Sequence, residues 1–370
     1  GGLAPEQVAA ETATPTPTPE PTPTPEPTPT PPSYKEVLSA VGDRNAKYCE
    51  TVVYLHRVLR SGNFMVSTSQ KGQQYERAGN DPALRAALEA LALVTGHAGK
   101  PNNGLIAVLP HANSRGALDM GLLPDQLPGY QPVERVPGLS AQAMLAEGPP
   151  VKGLLLAGVD PAAESESYRA ALEQLDFLVV QDLFLTETAR MADVVLPAVT
   201  FAEKDGTFTN TERRVLLVRE AIPPKGEARP DWAIVQELSN RLGYPMNYSS
   251  PEDVFQEIRQ LTPSYAGITY ERLAAAGLQW PCPTEEHPGT QFLHKDRFTK
   301  GKGTLSVIDF KPPAEVVDKD YPMWLTTGRI HAHYHTGTMT MKSEGLNERA
   351  PACYVEISSD DAQAYGLEDG

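Results

Sequence analysis

The chain has 370 residues, which is too many for one ordinary hydrophobic core and predicts two or three domains. Its 32 basic and 47 acidic residues give a net charge of −15, and no basic stripe is present, so we expect no nucleic-acid partner. No apolar stretch approaches the length of a membrane span, and the three scattered cysteines make neither a disulfide framework nor a zinc or iron–sulfur site.

The first segment, residues 1–33, is a Pro/Thr-rich linker. Proline stands at alternate positions through most of residues 14–32, where it removes backbone donors and fixes φ. This composition predicts an extended, semi-rigid spacer in preference to a ligand for a proline-binding module. Because the chain begins without Met and stops at "YGLEDG", where a turn should lead into another strand, we expect a fragment of a longer protein.

Residues 34–140 are predicted to form a partial α/β domain. Apolar faces indicate helical structure within residues 34–60. The next helix has clearer ends, because Asp81 suits the N-cap, Pro82 the first helical position and Gly96 the C-terminal end. These helices contribute core positions and imply no chemistry.

Residues 141–313 are predicted to form a dinucleotide-type α/β domain. Three runs, "VKGLLLAGVDP" from 151, "DFLVVQD" from 176 and "DVVLP" from 193, alternate with short helices and predict parallel strands, of which the first two are expected to be buried. Strand–helix–strand order within so few residues predicts a doubly wound parallel sheet, which binds ligands at the carboxyl ends of its strands. Gly158 and Asp182 follow the first two runs, so we expect them at one edge of the sheet.

The remaining helices are predicted from residue types that commonly begin or end a helix. One helix is expected to end at Gly243 and another to begin at Ser250, ahead of a proline. The Pro- and Gly-rich residues 262–313 are expected to wrap the surface. Residues 314–370 are predicted to start a C-terminal β domain, with a first strand at 321–329.

The densest polar cluster is "AEKDGTFTNTERRV", residues 202–215. One interpretation is a solvated β-hairpin, in which Phe208 alternates with threonines. The other is a ligand site at the mouth of the sheet, because the cluster directly follows "DVVLP". Its hydroxyl, amide and guanidinium groups suit a ligand that carries phosphate and ribose. Spacing alone leaves both interpretations open.

The segment "TTGRIHAHYHTGTMT", residues 326–340, holds three histidines at alternating positions. They could share one face of a strand as zinc ligands, but no acidic or cysteine partner is near in sequence. A surface hairpin is the second interpretation. In the third, the glycines let a loop approach a planar ligand to which arginine, histidine and threonine donate hydrogen bonds. We predict neither a metal ligand nor a catalytic residue in this chain.

Several separated blocks resemble the molybdopterin oxidoreductase family. They are "DFLVVQDLFLTETARMADVVLPAVTFAEKDGTFTNTERRV", "GEARPDWAIVQELSNRLG", "GLQWPCP" and the histidine segment. The resemblance is dense from residue 81 to 370. Within the family, the blocks are most similar to the alpha subunit of formate dehydrogenase and to the G-type subunit of bacterial NADH-quinone oxidoreductase (complex I).

The resemblance implies an α/β molybdopterin-oxidoreductase fold and a bis-molybdopterin guanine dinucleotide cofactor. The doubly wound domain would hold one guanine-dinucleotide arm, and residues 314–370 would contact the pterin, so the histidine segment becomes a cofactor-cradling loop. The implied cofactor-binding residues are Gly158, Asp160, Pro161, Gln181, Asp182, Thr186, Glu187, Lys204, Asp205, Gly206, Asn210, Arg214, Gly328, Arg329, His335 and Thr338. We expect Asp182, Asn210, Arg329 and His335 to converge on one cleft.

One departure bears on activity. Formate dehydrogenases carry an arginine that helps to hold formate where this chain has Leu109, and Arg115 lies in another register. An unpaired buried carboxylate is costly, so we expect the parent protein not to oxidise formate. The main interpretation is therefore a G-type subunit of NADH-quinone oxidoreductase that takes part in electron transfer with a degenerate site. The alternatives are a formate dehydrogenase alpha subunit and a non-redox scaffold.

The resemblance further implies the surroundings of the protein. Iron–sulfur clusters and the molybdenum ligand would lie in a part of the family that precedes this chain. The expected partners are the other subunits of a respiratory redox complex. We expect a cytoplasmic location, with attachment to the membrane through those partner subunits.

Overall fold

The structure is a computed structural model with two compact units, residues 1–308 and 309–370, each of which has its own set of elements. Several segments of the chain are described. These are residues 65–69, 82–109, 111–134, 136–305, 316–325, 328, 330–334 and 337–369. The helix predicted within 34–60 and the linker lie outside them.

The first unit alternates short helices with short strands. Its helices are α1 (Pro82–Val94), α2 (Ser114–Asp119), α3 (Ala141–Met144), α4 (Pro161–Glu164), α5 (Glu166–Leu172), α6 (Glu187–Met191), α7 (Asp231–Arg241), α8 (Pro251–Leu261) and α9 (Tyr270–Ala275). Its strands are β1 (Met65–Ser69), β2 (Gly104–Val108), β3 (Gln126–Leu127), β4 (Gln131–Pro132), β5 (Gly153–Ala157), β6 (Phe177–Asp182), β7 (Val194–Pro197), β8 (Gly206–Thr209), β9 (Arg214–Val218) and β10 (Leu278–Gln279). This mixed α/β composition confirms the predicted fold class.

The first unit contains a three-stranded parallel sheet, which we call the central sheet. Its order is β5-β6-β7, and Ala157 on β5 lies opposite Gln181 on β6. The core beneath it is built from Leu178 and Val180 of β6 and from apolar residues of the crossover helices. Because Ala157 pairs with Gln181, Gly158 and Asp182 follow at the same edge, as the sequence predicts.

The first two runs, which are predicted to be buried strands, keep exposed side chains on the second face of the sheet. One row across the second face consists of Leu155, Val179 and Val194 in register, and Leu155 is 42% and Val194 38% exposed. Phe177 on the same face is 49% exposed. Helices α4, α5 and α6 supply the core of one face, so alternate side chains are buried while their neighbours keep contact with solvent. A continuous apolar run in the sequence does not show whether one face of the strand or both faces are buried.

The polar cluster at 202–215 folds as a β-hairpin. Strand β8 pairs with β9 in antiparallel register, and the short strand β10 adds to the other edge of β9. The hairpin interpretation is therefore confirmed for the backbone. A second apolar core joins the hairpin to α8 and α9, with Val215, Phe255, Tyr265, Ile268, Leu273 and Cys282 buried in it.

Helix ends agree well with their sequence signals. At the start of α8, Ser250 accepts a hydrogen bond from the Asp253 amide at 3.2 Å, and Asp253 accepts one from the Ser250 amide at 3.0 Å. This reciprocal capping satisfies two amides that the helix itself cannot bond. Helix α7 ends before Gly243, whose φ is 86°, as predicted.

The second unit differs from its prediction. Its described residues contain two short helices, α10 (Glu344–Asn347) and α11 (Ser359–Tyr365), and a 3₁₀ turn at Thr340–Lys342. Residues 321–325 are not in a strand, so that part of the predicted strand is wrong. Their side chains are exposed, and no partner strand is present among the described residues of this unit, which removes the pairing that a strand requires.

Candidate functional site

The carboxyl edge of the central sheet gathers the predicted polar residues. The Gly158 amide donates to the Gln181 carbonyl at 2.9 Å, which fixes the turn after β5 against β6. Gly158 has a φ of 65°, and no heavy atom beyond its two chain neighbours lies within 4 Å of the position that a Cβ would occupy. The glycine thus provides both a left-handed turn and open space at this edge.

Asp160 connects two helix starts at the same edge. Its carboxylate accepts hydrogen bonds from the Thr188 amide at 2.9 Å and from the Thr188 hydroxyl at 2.7 Å. The Thr188 oxygen in turn accepts from the Ala162 amide at 3.0 Å. Pro161 is buried between them as the first residue of α4. These contacts assign Asp160 and Pro161 a structural role in shaping the edge.

We expect Thr188→Val to lower the free energy of unfolding by about 2 kcal/mol, because it leaves the buried Ala162 amide and one Asp160 contact unsatisfied. Thr188 is fully buried, and valine keeps its shape. Chemical denaturation of wild type and variant measures the difference. Thr186→Ser is the matched control, since a serine hydroxyl can still cap α6. Equal stability of wild type and Thr188→Val would contradict the assigned role.

Asp182 ends β6 and turns the chain away from the sheet. Its carboxylate accepts from the Leu183 amide at 2.6 Å and the Phe184 amide at 3.2 Å. Desolvation raises the pKa of Asp182, the two amide hydrogen bonds lower it, and the charge of Asp160 raises it further. Two carboxylates therefore lie within electrostatic reach of each other at this edge, where a ligand that donates hydrogen bonds would relieve their repulsion.

The neighbouring residues Thr186 and Glu187 are occupied by protein contacts. The Thr186 hydroxyl oxygen accepts from the Ala189 amide at 3.1 Å and so caps α6. Glu187 forms an ion pair with Arg169 of α5. The first contact caps α6, and the second joins α6 to α5.

Lys204 is linked to the same edge of the sheet by Asp231, which contacts both Lys204 and Gln181. The lysine forms an ion pair with one carboxylate oxygen of Asp231, and the other oxygen accepts from the Gln181 side-chain amide at 2.7 Å. Asp231 is the first residue of α7, so a single carboxylate joins the helix, the sheet and the segment before the hairpin. Sequence reasoning missed Asp231, although it stands in the quoted block "GEARPDWAIVQELSNRLG". Nothing in the spacing indicated its partner fifty residues away.

The remaining predicted residues of this unit lie on the hairpin. Asp205 accepts from the Glu220 amide at 2.9 Å across the hairpin base, and Gly206 begins β8. Asn210 accepts from the Arg214 amide at 3.0 Å and shapes the turn between the strands. Arg214 donates to the Gly277 carbonyl, to Gln279 and to Glu212. Asn210 and Arg214 are thus engaged in the hairpin, and the hydrogen bonds and ion pairs of their side chains to described residues do not reach the sheet edge.

In the second unit, the His333 side chain is buried. Its Nε2 lies 2.7 Å from the Ala350 carbonyl, which can only accept, so Nε2 carries a proton. The Thr340 hydroxyl lies 3.1 Å from Nδ1. Gly328 and Thr338 are exposed, whereas Arg329 and His335 lie outside the described residues. Their predicted convergence with Asp182 and Asn210 stays a prediction.

A second buried polar cluster surrounds Asp119 of α2. Its carboxylate accepts from Tyr265 at 2.5 Å and from Tyr130, and it is 1% exposed. Desolvation raises the pKa of Asp119, while the two phenol hydrogen bonds and the charge of Arg115 lower it. Tyr265 also lies 3.1 Å from the buried Thr209 hydroxyl. The cluster joins α2, the hairpin and the segment after α8.

The described part of the chain offers neither a metal cluster nor a membrane helix. No group of three or more His, Cys, Asp or Glu side chains within it is arranged to hold a metal ion. Among those same residues, no helix has the length and apolar character needed to cross a membrane.

Two family models match the sequence. The Molybdopterin oxidoreductase model matches residues 62–241, and the Molydopterin dinucleotide binding domain model matches residues 323–370. Together they take in more than half of the chain. The chain belongs to the molybdopterin oxidoreductase family. The resemblance stated on the sequence blocks is thereby confirmed.

Relatives within the family are similar over most of this chain. The F420-dependent formate dehydrogenase subunit alpha of Methanocaldococcus jannaschii is 47% identical over 307 residues, which cover 77% of this chain and 46% of the relative. The F420-dependent formate dehydrogenase 2 subunit alpha of Methanococcus maripaludis is 43% identical over 304 residues, which cover 76% of this chain and 45% of the relative. The assimilatory nitrate reductase catalytic subunit of Bacillus subtilis is 39% identical over 314 residues, which cover 75% of this chain and 44% of the relative.

The chain therefore spans less than half the length of these relatives. Among solved structures, acetylene hydratase from Pelobacter acetylenicus matches with a TM-score of 0.45 and 18% identity, over 78% of this chain and 41% of that chain.

The residues at the sheet edge fit a molybdopterin dinucleotide. A ribose or a guanine base offers O–H and N–H donors, and the edge offers the half-buried carboxylates of Asp160 and Asp182 as acceptors. The Gln181 side chain beside them is buried and donates to Asp231. Gly158 leaves room for the approach of a ligand. The acceptor-rich edge matches the nucleotide part of the cofactor, whereas its lysine, Lys204, is already paired.

Proposed function

We propose that this chain is part of the alpha subunit of a formate dehydrogenase-type molybdopterin enzyme, in which it holds a nucleotide arm of the cofactor. The observation that carries the proposal is the acceptor-rich sheet edge of Gly158, Asp160, Gln181 and Asp182 in a member of the molybdopterin oxidoreductase family. Identities of 47% and 43% to formate dehydrogenase alpha subunits support the branch.

These similarities favour the formate dehydrogenase alternative over the complex I interpretation that the sequence alone placed first. The identity extends across about three quarters of the chain, whereas the argument for a degenerate site rested on the single position Leu109. Leu109 is buried in the structure. It is a packing position in this chain, so the positive charge that orients formate must come from another residue.

When bound, the cofactor supplies the two-electron redox chemistry of the enzyme. The proposed task of this chain is to bind and orient one nucleotide of that cofactor. Asp182 and Asp160 accept hydrogen bonds from hydroxyl or N–H groups, and Gly158 lets the backbone come close to the ligand. Gly328 and Thr338, with Arg329 and His335, remain the proposed pterin contacts of the second unit.

The proposal includes partners and a location. An alpha subunit implies at least one further subunit, and we propose that the partners are the other subunits of a redox complex with iron–sulfur clusters. A cytoplasmic location, with any membrane attachment made through those subunits, completes the proposal.

The test is a formate-dependent dye-reduction assay of the purified full-length parent protein, combined with molybdenum analysis and identification of copurifying subunits. We expect formate-dependent reduction and about one molybdenum atom per chain. Stoichiometric molybdenum with reduction of nitrate in place of formate oxidation would assign the protein to the nitrate reductase branch. Copurification with quinone-reductase subunits and no molybdenum would restore the complex I interpretation.

A further inference from the structure

Four cations stand close together in one loop of the first unit. Lys295, Arg297, Lys300 and Lys302 lie within eight consecutive residues, in which Asp296 is the acidic residue. All four cations are exposed. The chain as a whole carries a net charge of −15, so this concentration of positive charge is opposite in sign to the protein that surrounds it.

The structure adds a fifth cation from a distant part of the sequence. A Cβ at Gly99 would overlap the His294 carbonyl, so the turn that follows α1 touches the start of the loop. Lys100 comes directly after Gly99, is exposed, and therefore lies beside the loop that carries Lys295. The sequence alone does not reveal that these cations are neighbours. We use the name basic patch for Lys100, Lys295, Arg297, Lys300 and Lys302.

The loop is held in place along its length. The rings of His294 and Phe298 lie 4.9 Å apart between centroids, and the Gly301 amide donates to the Phe298 carbonyl at 2.9 Å. Further along, a Cβ at Gly303 would lie 2.7 Å from the Leu93 side chain of α1. The ring contact, the tight turn and the approach to α1 give the loop a defined backbone, so its cations stay close together.

The cations of the basic patch are not neutralised within the described part of the chain. None of the five forms an ion pair with a described residue. Arg169, Lys204 and Arg259, in contrast, each pair with a carboxylate. Exposed charges of one sign create a local potential that salt screens over about 10 Å at about 0.1 M. The basic patch therefore attracts anionic groups at short range.

We propose that the basic patch binds a carboxylate-rich surface of a partner subunit. The inference rests on the proposed function, which supplies partner subunits for this chain. The net charge of −15 repels an acidic partner from most of the chain, while the basic patch attracts it, so the two effects together favour one orientation of approach. Four of the five cations are lysines, whose ammonium groups suit separate carboxylates as point charges.

Two other polyanions fit the observations less well. A single nucleic-acid strand stacks its bases on exposed aromatic rings, but Phe298 is half-buried and its ring contacts His294. An anionic membrane extends far beyond five cations, so it would also face the acidic remainder of the chain. A plain alternative is that the cations only lie near the carbonyl end of α1 and stabilise that helix.

The test uses the full-length parent protein and the subunit that copurifies with it, which is identified by mass spectrometry and released with about 1 M salt. Biolayer interferometry measures rebinding of this subunit. We expect Lys300→Glu/Lys302→Glu to weaken rebinding about tenfold at about 50 mM salt, chiefly through slower association. At about 300 mM salt, wild type and variant should differ by less than about threefold, because the charges are screened.

Two further variants serve as controls. Lys152→Glu/Lys319→Glu is the matched control, because both lysines are exposed and the change in net charge is identical. It should rebind the subunit as wild type does. Lys300→Gln/Lys302→Gln removes charge without reversing it, and we expect a loss between those of wild type and the glutamate variant. A role limited to α1 predicts a lower denaturation midpoint for the glutamate variant with unchanged rebinding, and that result would overturn the proposal.

The outcomes also separate the inference from the function on which it rests. If the parent oxidises formate but retains no subunit, or if the glutamate variant rebinds the subunit as well as wild type does, only the inference is overturned. Unchanged rebinding with loss of binding to a thymidine strand of about 20 nucleotides, or to phosphatidylglycerol vesicles, rejects it in favour of that anion. If the parent neither oxidises formate nor retains a subunit, both the proposed function and the inference are overturned.

Discussion

Replacing Asp119 with alanine should lower the free energy of unfolding of the first unit by about 3–5 kcal/mol, the range for a buried charged group whose partners are left behind. Tyr130 and Tyr265 would each lose the carboxylate that accepts their hydroxyl hydrogen bond, and Arg115 would lose an opposite charge that interacts with it. The cluster joins three parts of the unit, so the loss should appear as a lower midpoint of the whole transition. Urea denaturation followed by tryptophan fluorescence measures it.

Two companion variants sharpen this prediction. Asp119→Asn keeps the shape and one acceptor oxygen, so we expect about half the loss seen with alanine. Asp125→Ala removes an exposed carboxylate from the same region and should leave the midpoint unchanged. A midpoint for Asp119→Ala as high as that of the Asp125→Ala control would show that the cluster contributes nothing.

The phenol groups provide an independent readout. Burial raises the pKa of Tyr130 to about 12, and the hydrogen bond to Asp119 adds to the shift. Burial and the Asp119 charge raise the pKa of Tyr265 as well. Removing Asp119 should therefore lower both pKa values in the folded protein. A spectrophotometric titration near 295 nm would follow this change before alkaline unfolding begins.

The elements of the central sheet could be predicted because their signals are local. Strand β5 is an apolar run that ends just before Gly158, and β6 is one that ends at Asp182. The starts of α6 and α8 carry the capping residues Thr186 and Ser250. Parallel pairing follows from the crossovers between the strands. These rules act within a few residues and do not depend on the rest of the fold.

Burial of each strand face could not be predicted in the same way. A continuous apolar sequence is compatible with a strand that is buried on one face or on both. Leu155 and Val194 are exposed to solvent, so one face of this sheet is not fully buried. Whether a strand face is buried depends on the residues that pack against it, and those residues are distant in sequence. Residues 321–325, the described start of the strand predicted at 321–329, are not in a strand for a related reason. Propensity without a pairing partner does not make a strand.

The candidate site was predicted in part. Its residues at the sheet edge follow from topology, because ends of parallel strands converge. The link from Gln181 to Asp231 depends on where α7 docks, which spacing does not reveal. Asn210 and Arg214 were assigned to the cofactor by resemblance. The hairpin turn and Gln279 account for their hydrogen bonds.

The last prediction concerns Gly267, where a single methyl group should disrupt the second core. We expect Gly267→Ala to lower the free energy of unfolding by about 3 kcal/mol or more, at the upper end of overpacking effects. A Cβ at this position would overlap the backbone carbonyl of Thr284 and lie 2.8 Å from the Cys282 carbonyl. Backbone atoms cannot rotate away as a side chain can, so the two segments would have to separate.

Separation would affect the contacts that hold this core together. The Gly267 amide donates to the Cys282 carbonyl at 2.7 Å, and Arg272 donates to the carbonyls of Gly267 and His287. Ile268 and Cys282 are fully buried beside them, so moving the backbone opens the apolar core as well as breaking hydrogen bonds. The cost therefore exceeds that of a lost glycine turn alone.

The matched control is Gly153→Ala in strand β5. There a Cβ would lie 3.6 Å from the Phe177 carbonyl, which is ordinary contact, and alanine reduces the freedom of the unfolded chain. We expect this variant to be as stable as wild type or slightly more stable, while Gly267→Ala unfolds at a clearly lower denaturant concentration. Because both variants add the same methyl group, only the surroundings differ. Equal midpoints for the two would refute the close approach of residues 267 and 284.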